Sequence, residues 1–216
     1  MEVYEYISRG GPIMWIILFC SIVVTFIFLE KWFLFHREQI DVGDLVKGLI
    51  NVLKRDGYVE AITLCDNTPG PIAHILMAAI KSYKDGESNI KQSIEDAALI
   101  EIPRLEKHLN VMATVAYITP LLGLLGTVIG MMGAFRDINM KGGMINASDL
   151  SGNIELALIT TAAGLCVAIP SYVGYNFLLS RVESFVLEME KASSEIIYFF
   201  NNRKNKEKSD VISEID

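Results

Sequence analysis

The sequence predicts an all-α integral membrane protein with three transmembrane helices, two of them long and extending into a cytoplasmic helical domain. Composition is the first reason. Hydrophobic residues make up 51% of the 216 and the mean hydropathy is +0.36, outside the range of ordinary soluble chains. The second is pattern: Ile13 to Leu29, Val111 to Phe135 and Leu156 to Leu179 are apolar runs free of Asp, Glu, Lys and Arg. Each is close to the roughly 20 residues that cross a bilayer core of roughly 30 Å.

Residues 1–12 are the expected periplasmic N-terminus. Glu2 and Glu5 stand there against Arg9 and no small-residue cleavage site follows, so the first run reads as a retained anchor and not as a signal peptide. Gly10, Gly11 and Pro12 break the chain before it. The stretch "LEKWFLFHREQ" ends it in an aromatic and basic collar, giving a first span with its collar over 13–35. The collar is an interfacial anchor or a contact for lipid or a partner.

Residues 36–109 are expected to form the helical domain. Leu45, Leu49, Ile50, Val52 and Leu53 follow a helical period that Gly57 ends. A short helix over Tyr58 to Cys65 follows, stopped by "DNTPGP", and "IAHILMAAIKSYKDG" begins another. From Ser88 onward Ile94, Ala98, Ile102, Leu105, Leu109 and Met112 recur at steps of three and four without a turn signal. The spacing predicts one unbroken helix from Ser88 to Phe135, about 72 Å long at 1.5 Å per residue, bent but not ended by Pro103.

Its membrane part is 110–135, followed by a periplasmic loop over 136–152 and a third span over 153–179. That span is expected to continue as an amphipathic helix over 180–202. The polar stretch 203–216 reads as a disordered tail. Orientation follows from Lys and Arg: nine lie between His36 and Leu109 and six after Leu179, against one in the leader and two from Arg136 to Gly152. Basic residues collect on the cytoplasmic side, which places the N-terminus outside and the C-terminus inside.

Several function classes are poorly served. A net charge of -7 and a pI near 5.1 offer no basic stripe for nucleic acid. Cys20, Cys65 and Cys166 form no CxxC pair, and His36, His74 and His108 have no ligand spacing. With no nucleophile and base pair, metal cluster or phosphate loop, neither an enzyme nor a bound cofactor is expected.

The informative residues are in the two inner spans. Gly123, Gly126, Gly130 and Gly133 fall within an arc of about 80°, a smooth face for close helix approach. Ala157, Thr161, Gly164, Ala168 and Ser171 form a matching face on the third span. Two such faces imply a tightly packed pair or a shared wall. Thr127 lies about 40° from Gly123, and Thr127 and Thr161 are each eight residues from the expected outer ends of their spans, Phe135 and Asn153. Both hydroxyls are therefore expected at one level, roughly 12 Å down. Pro120 and Pro170 mark a second, approximate level. Each hydroxyl could bond back to its own helix; paired on small-residue faces, they instead outline a polar strip along a pathway, with Thr160 beside Thr161. Of the flanking carboxylates, Glu30 belongs to the collar and Asp137 is expected in the outer loop. Glu155 remains, either as an acid in the first turn of a helix, stabilised by about 0.3 to 1 kcal/mol, or as a proton acceptor at the outer mouth. An ion path normally needs an ionisable group at depth, so an ion-conducting form of this chain would take its carboxylate from a partner.

The segments "TPLLGLLGTVIGMMGAF" and "ALITTAAGLCVAIPSYVGYNF", with "EIPRLEKHLNVMATVA" ahead of the first, resemble the signatures of the MotA/TolQ/ExbB proton-channel family. The three spans are similar to its ExbB and TolQ branch. This resemblance implies a stator subunit of the bacterial inner membrane, with protons as the coupling ion and no cofactor. It also implies a homo-oligomer, a pentamer in the family picture, around two copies of an ExbD- or TolR-like single-span protein with a membrane aspartate. A TonB- or TolA-like protein would be a further partner. The family's polar residues map onto Thr127 and Thr161. Many members carry a glutamate five residues before the second threonine, where this chain has Leu156; Glu155 is one residue earlier, about 100° round the helix. On this reading the glycine face lets neighbouring copies close around a partner helix whose acid meets Thr127. Outer-membrane uptake, envelope constriction and gliding or secretion remain open as the process energised, and a passive membrane scaffold is the competing class.

The orientation has a direct check. A fluorescent protein fused after Asp216 is expected to mature and fluoresce, while alkaline phosphatase at the same position stays inactive; the reverse pair of results would invert the assignment.

Overall fold

In the computed structural model the described residues, 10–86, 89–140 and 147–213, are organised around seven α-helices. These are α1 (Gly11–Glu38), α2 (Val42–Leu53), α3 (Tyr58–Asn67), α4 (Pro71–Lys84), α5 (Ile90–Glu106), α6 (Leu109–Met140) and α7 (Ala147–Ser213). The leader through Arg9, Ser88 at the head of the expected long helix, 141–146 of the expected outer loop and the last three residues lie outside the described residues. Three stretches are long and apolar enough to cross a membrane: α1, α6 with α5 ahead of it, and α7. The chain divides into two units, one of residues 10–31 and 108–178, the other of 32–107 and 179–213.

In the first unit α1 buries Ile13, Ile17, Val24 and Ile27 and turns Trp15, Phe19, Ile22 and Phe26 outward. Both sets recur at steps of three, four or seven, so one face packs while the other is left for lipid. Gly174 of α7 admits the α1 side chain Phe28: a Cβ there would stand 3.1 Å from the Phe28 ring. At the inner end of this unit His108 meets Glu30 at 3.5 Å.

The long helix expected from Ser88 to Phe135 is corrected here to two. Pro103 stays inside α5, and the break falls at Lys107, with ψ 132°, and His108, with φ 71°. A left-handed residue cannot continue a right-handed helix. The His108 carbonyl accepts from Val111 N at 3.1 Å, which starts α6 afresh. No Gly or Pro marks this place in "LEKHLN"; the apolar period on either side runs straight through it.

The second unit follows its expected helices closely. Asp41 caps α2 by accepting from Asp44 N at 3.1 Å, and Pro71 opens α4 from Gly70, whose φ of 109° suits glycine. A Cβ on Gly70 would stand 3.1 Å from the Glu38 carbonyl oxygen, so the turn also lets α4 start against the end of α1. α4 buries Ile72, Ile75, Leu76, Ala79 and Ile80. The stripe of α7 that helps complete this core is Val182, Phe185, Met189, Ala192, Ile196 and Phe200, spaced by three and four. Phe185 meets Phe35 edge-on at 5.7 Å and Phe200 stacks on Tyr83 at 4.1 Å.

Polar ties hold the ends of these helices. Glu101, buried on α5, is met by His74 at 2.8 Å and Arg104 at 3.2 Å, and Arg104 also reaches the buried Glu38 at 3.6 Å. Buried carboxylates need such partners because the charged form is costly away from water. Arg203 donates to the Leu53 carbonyl at 2.6 Å, pairs with Asp56 and lies 5.7 Å from the centre of the Tyr58 ring. It thereby satisfies the end of α2 and holds the turn in which Asp56 has φ 60°. α7 continues to Ser213, which corrects the expected disordered tail over 203–213, its last three residues lying outside the described ones; the Lys, Arg and Glu residues of this stretch are good helix formers and it contains no Gly or Pro.

Cys65 is completely buried on α3, and burial pushes its thiol up to about 11. The neutral thiol is thus favoured in the fold. This contribution to stability is complete below the usual value of 9.0 and is lost as the pH rises towards about 11. Alkylation with a membrane-permeant maleimide is expected to label Cys65 only after denaturation. Rapid native labelling of Cys65, followed by peptide mass, would show that α3 does not seal it.

Candidate functional site

Four glycines of α6 lie directly beneath α7 of the same chain. A Cβ on Gly123 would stand 3.0 Å from the Thr161 Cα, one on Gly126 would overlap the Thr160 hydroxyl, and one on Gly130 would stand 2.6 Å from the Asn153 carbonyl. One on Gly133 would stand 2.7 Å from the Asn153 amide oxygen. The return contact is Gly164, where a Cβ would be 2.8 Å from the Thr119 carbonyl. Distances below 3 Å leave no room for a side chain, so backbone runs against backbone. Of the two outcomes the small faces allow, a packed pair or a shared wall, these contacts form the packed pair within one subunit.

The hydroxyls sit along this seam. Thr160 is fully buried under Gly126 and donates to the carbonyls of Leu156 at 2.9 Å or Ala157 at 3.1 Å. Thr161 is half-buried, 3.0 Å from the Ala157 carbonyl and 3.1 Å from that of Gly123, so its single proton is shared between its own helix and α6. Thr127, also half-buried, donates to the Leu124 carbonyl at 2.6 Å. Each hydroxyl is therefore bonded back to the backbone, as threonines in apolar helices usually are. That does not exhaust them. A hydroxyl that donates to a carbonyl still presents lone pairs, and can accept from a protonated carboxyl brought alongside.

The structure alters the expected levels. Thr161 stands opposite Gly123, which is four residues and about 6 Å from Thr127 along α6. The single level assumed that Phe135 and Asn153 end their helices together. In fact α6 runs to Met140, α7 begins at Ala147, and Asn153 packs on Gly130 and Gly133. The prolines are not equivalent either, Pro120 being half-buried and Pro170 exposed, while Ala168 is buried.

Both flanking acids are re-read on the same ground. Asp137 is not in a loop but on α6, accepting from the Asn153 side-chain amide at 2.7 Å. Its signal was in the sequence: it continues the stripe Gly126, Gly130, Gly133 by one more step of four. Glu155 is half-buried and lies eight residues inside α7, beyond the first turn where the helix dipole acts. The dipole explanation of Glu155 loses its footing. Thr119 and Ser171, both buried and bonded back to Val115 and Val167, complete the polar seam.

Residues 67–191 match the MotA/TolQ/ExbB proton channel family. Among similar chains, the biopolymer transport protein ExbB of Aquifex aeolicus is 38% identical over 120 residues, 56% of this chain and 80% of that one. An ExbB-like biopolymer transport protein of Synechocystis is 27% identical over 88% of this chain and 91% of its own length. ExbB of Pseudomonas putida is 27% identical over 82% of this chain and 55% of its own.

The tightest contact makes a specific prediction. Gly126→Ala would drive its methyl into Thr160 and is expected to cost about 1 to 3 kcal/mol, the usual range for overpacking, read as a lower Tm of the detergent-purified protein. In a Thr160→Gly background the same change should cost markedly less; equal costs in both backgrounds would mean that the two residues do not meet.

Proposed function

The chain belongs to the MotA/TolQ/ExbB proton channel family, and from that premise we propose that it is a motor subunit using the proton motive force to energise an envelope process. It lies in the bacterial inner membrane with its N-terminus in the periplasm and its C-terminus in the cytoplasm. Several copies, five in the family picture, surround an ExbD- or TolR-like single-span protein whose membrane aspartate carries the proton. A TonB-like protein passes the work to outer-membrane transport, in keeping with the biopolymer transport names of its relatives.

The observation that carries this reading is the mismatch between the seam and the spans. The apolar runs from Val111 to Phe135 and from Leu156 to Leu179 hold no Asp, Glu, Lys, Arg or His, yet half-buried hydroxyls line the α6 and α7 pair. Hydroxyls can hand a proton on but cannot hold the charge, so the acid is the partner's. Thr127 and Thr161 meet that acid at successive levels. Thr160, sealed under Gly126, positions the two helices. Glu155, with Asp137 near the outer end of the pair, is the proton's entry.

Thr127→Val and Thr161→Val are each expected to reduce proton-driven transport to the level seen with a protonophore while the complex still assembles. Thr161→Val also removes a bond to α6 worth about 0.5 to 1.5 kcal/mol, so Thr161→Ser is the control and should retain activity. Full activity of both valine variants would return the hydroxyls to packing and leave a passive scaffold. Glu155→Gln should slow transport, and Leu156→Glu in that background should restore it.

A further inference from the structure

Away from the apolar runs, α5 and α7 carry two stripes that match each other and remain uncovered. On α5, Leu99 and Ile100 are 72% and 70% exposed, adjacent in sequence and next to exposed Pro103. On α7, Leu187 is 66% exposed. Single exposed leucines are ordinary, but these belong to ordered patterns. Glu95, Leu99 and Pro103 on α5, and Glu183, Leu187 and Lys191 on α7, are spaced by four, and all six are exposed. Each set forms one ridge within an arc of about 80°.

The two ridges are complementary when the helices run in opposite directions. Counted back from His108, where the first unit takes up α6, Leu99 is nine residues away and Glu95 thirteen; counted on from Leu178, where that unit ends on α7, Leu187 is nine and Lys191 thirteen. Leucine meets leucine and acid meets lysine at equal steps along the two helices. At the near end Arg104, with half its side chain exposed beyond its contacts to Glu38 and Glu101, is four residues from His108, and Glu183 is five from Leu178. Leu99 and Leu187 are both open, so the ridges do not cover each other within one chain.

We propose that the α5 ridge of one copy packs antiparallel on the α7 ridge of the next. The inference rests on the homo-oligomer reading above and assigns the contact outside the membrane spans. One ridge on each of two helices makes a head-to-tail contact, which closes into a ring when successive copies are related by rotation about the membrane normal. The apolar pair excludes water, and the charges fix direction and register.

The test is cross-linking of the full-length protein in native membranes, with Cys20 and Cys166 changed to Ser and buried Cys65 kept. Leu99→Cys with Leu187→Cys in one chain is expected to give a ladder of dimers and higher multiples on oxidation, and neither single variant should do so. Co-expressing the two single variants should give dimers alone. Glu95→Lys should reduce the ladder, and adding Lys191→Glu should bring it back. Dimers from one single variant would overturn the head-to-tail contact. An intact homo-oligomer by native mass with no ladder would overturn this contact and leave the oligomer standing, whereas absence of any homo-oligomer would overturn both.

Discussion

Close contact between α6 and α7 is the constraint on which the apolar unit depends. Every glycine of the α6 face is occupied by something specific on α7: the Thr161 backbone, the Thr160 hydroxyl, and the Asn153 carbonyl and amide. Inside a bilayer the hydrophobic effect gives helices little reason to associate, and association falls to close packing and hydrogen bonds. Glycine supplies the first by removing Cβ from the seam. Thr161 supplies the second, reaching the Gly123 carbonyl across it.

The polar residues of the seam follow from that approach. Where backbones nearly touch, a hydroxyl can reach a carbonyl of its own helix or of the neighbour, and Thr161 does both. Towards the outer end the seam becomes more polar, with Asn153 bound to Asp137. Glu155 is embedded in α7 and not perched at its start, which removes the simplest electrostatic reason for an acid at that position.

The second unit rests on a different principle. Its helices are short and amphipathic, and the long apolar stripe of α7 from Val182 to Phe200 gives them a surface to fold against. Its buried carboxylates, Glu38 and Glu101, are met at a joint by Arg104 and His74, and Arg203 ties the end of α2. An arginine can serve two acceptors at once because its donors are fixed in a planar fork.

Periodicity and composition alone determined the three apolar helices, the breaks at Gly57 and at "TPGP" and the glycine face, because these follow from local chemistry and from angles along one helix. The family was legible through the resemblance of contiguous segments, where its signatures lie. What periodicity and composition left undecided are relations between helices. Phe135 and Asn153 are poor markers of depth, since apolar character fades before a helix ends, and Asp137 lies on α6 beyond that point. The break at His108 has no local signal, because a left-handed histidine in place of a turn of helix is decided by what surrounds it. Whether the glycines served a packed pair or a shared wall was likewise undetermined, as a smooth face shows only that something comes close. Tertiary structure decided that the neighbour is α7 of the same chain, because there each missing Cβ coincides with a named atom of Thr160, Thr161, Asn153 or Ala157.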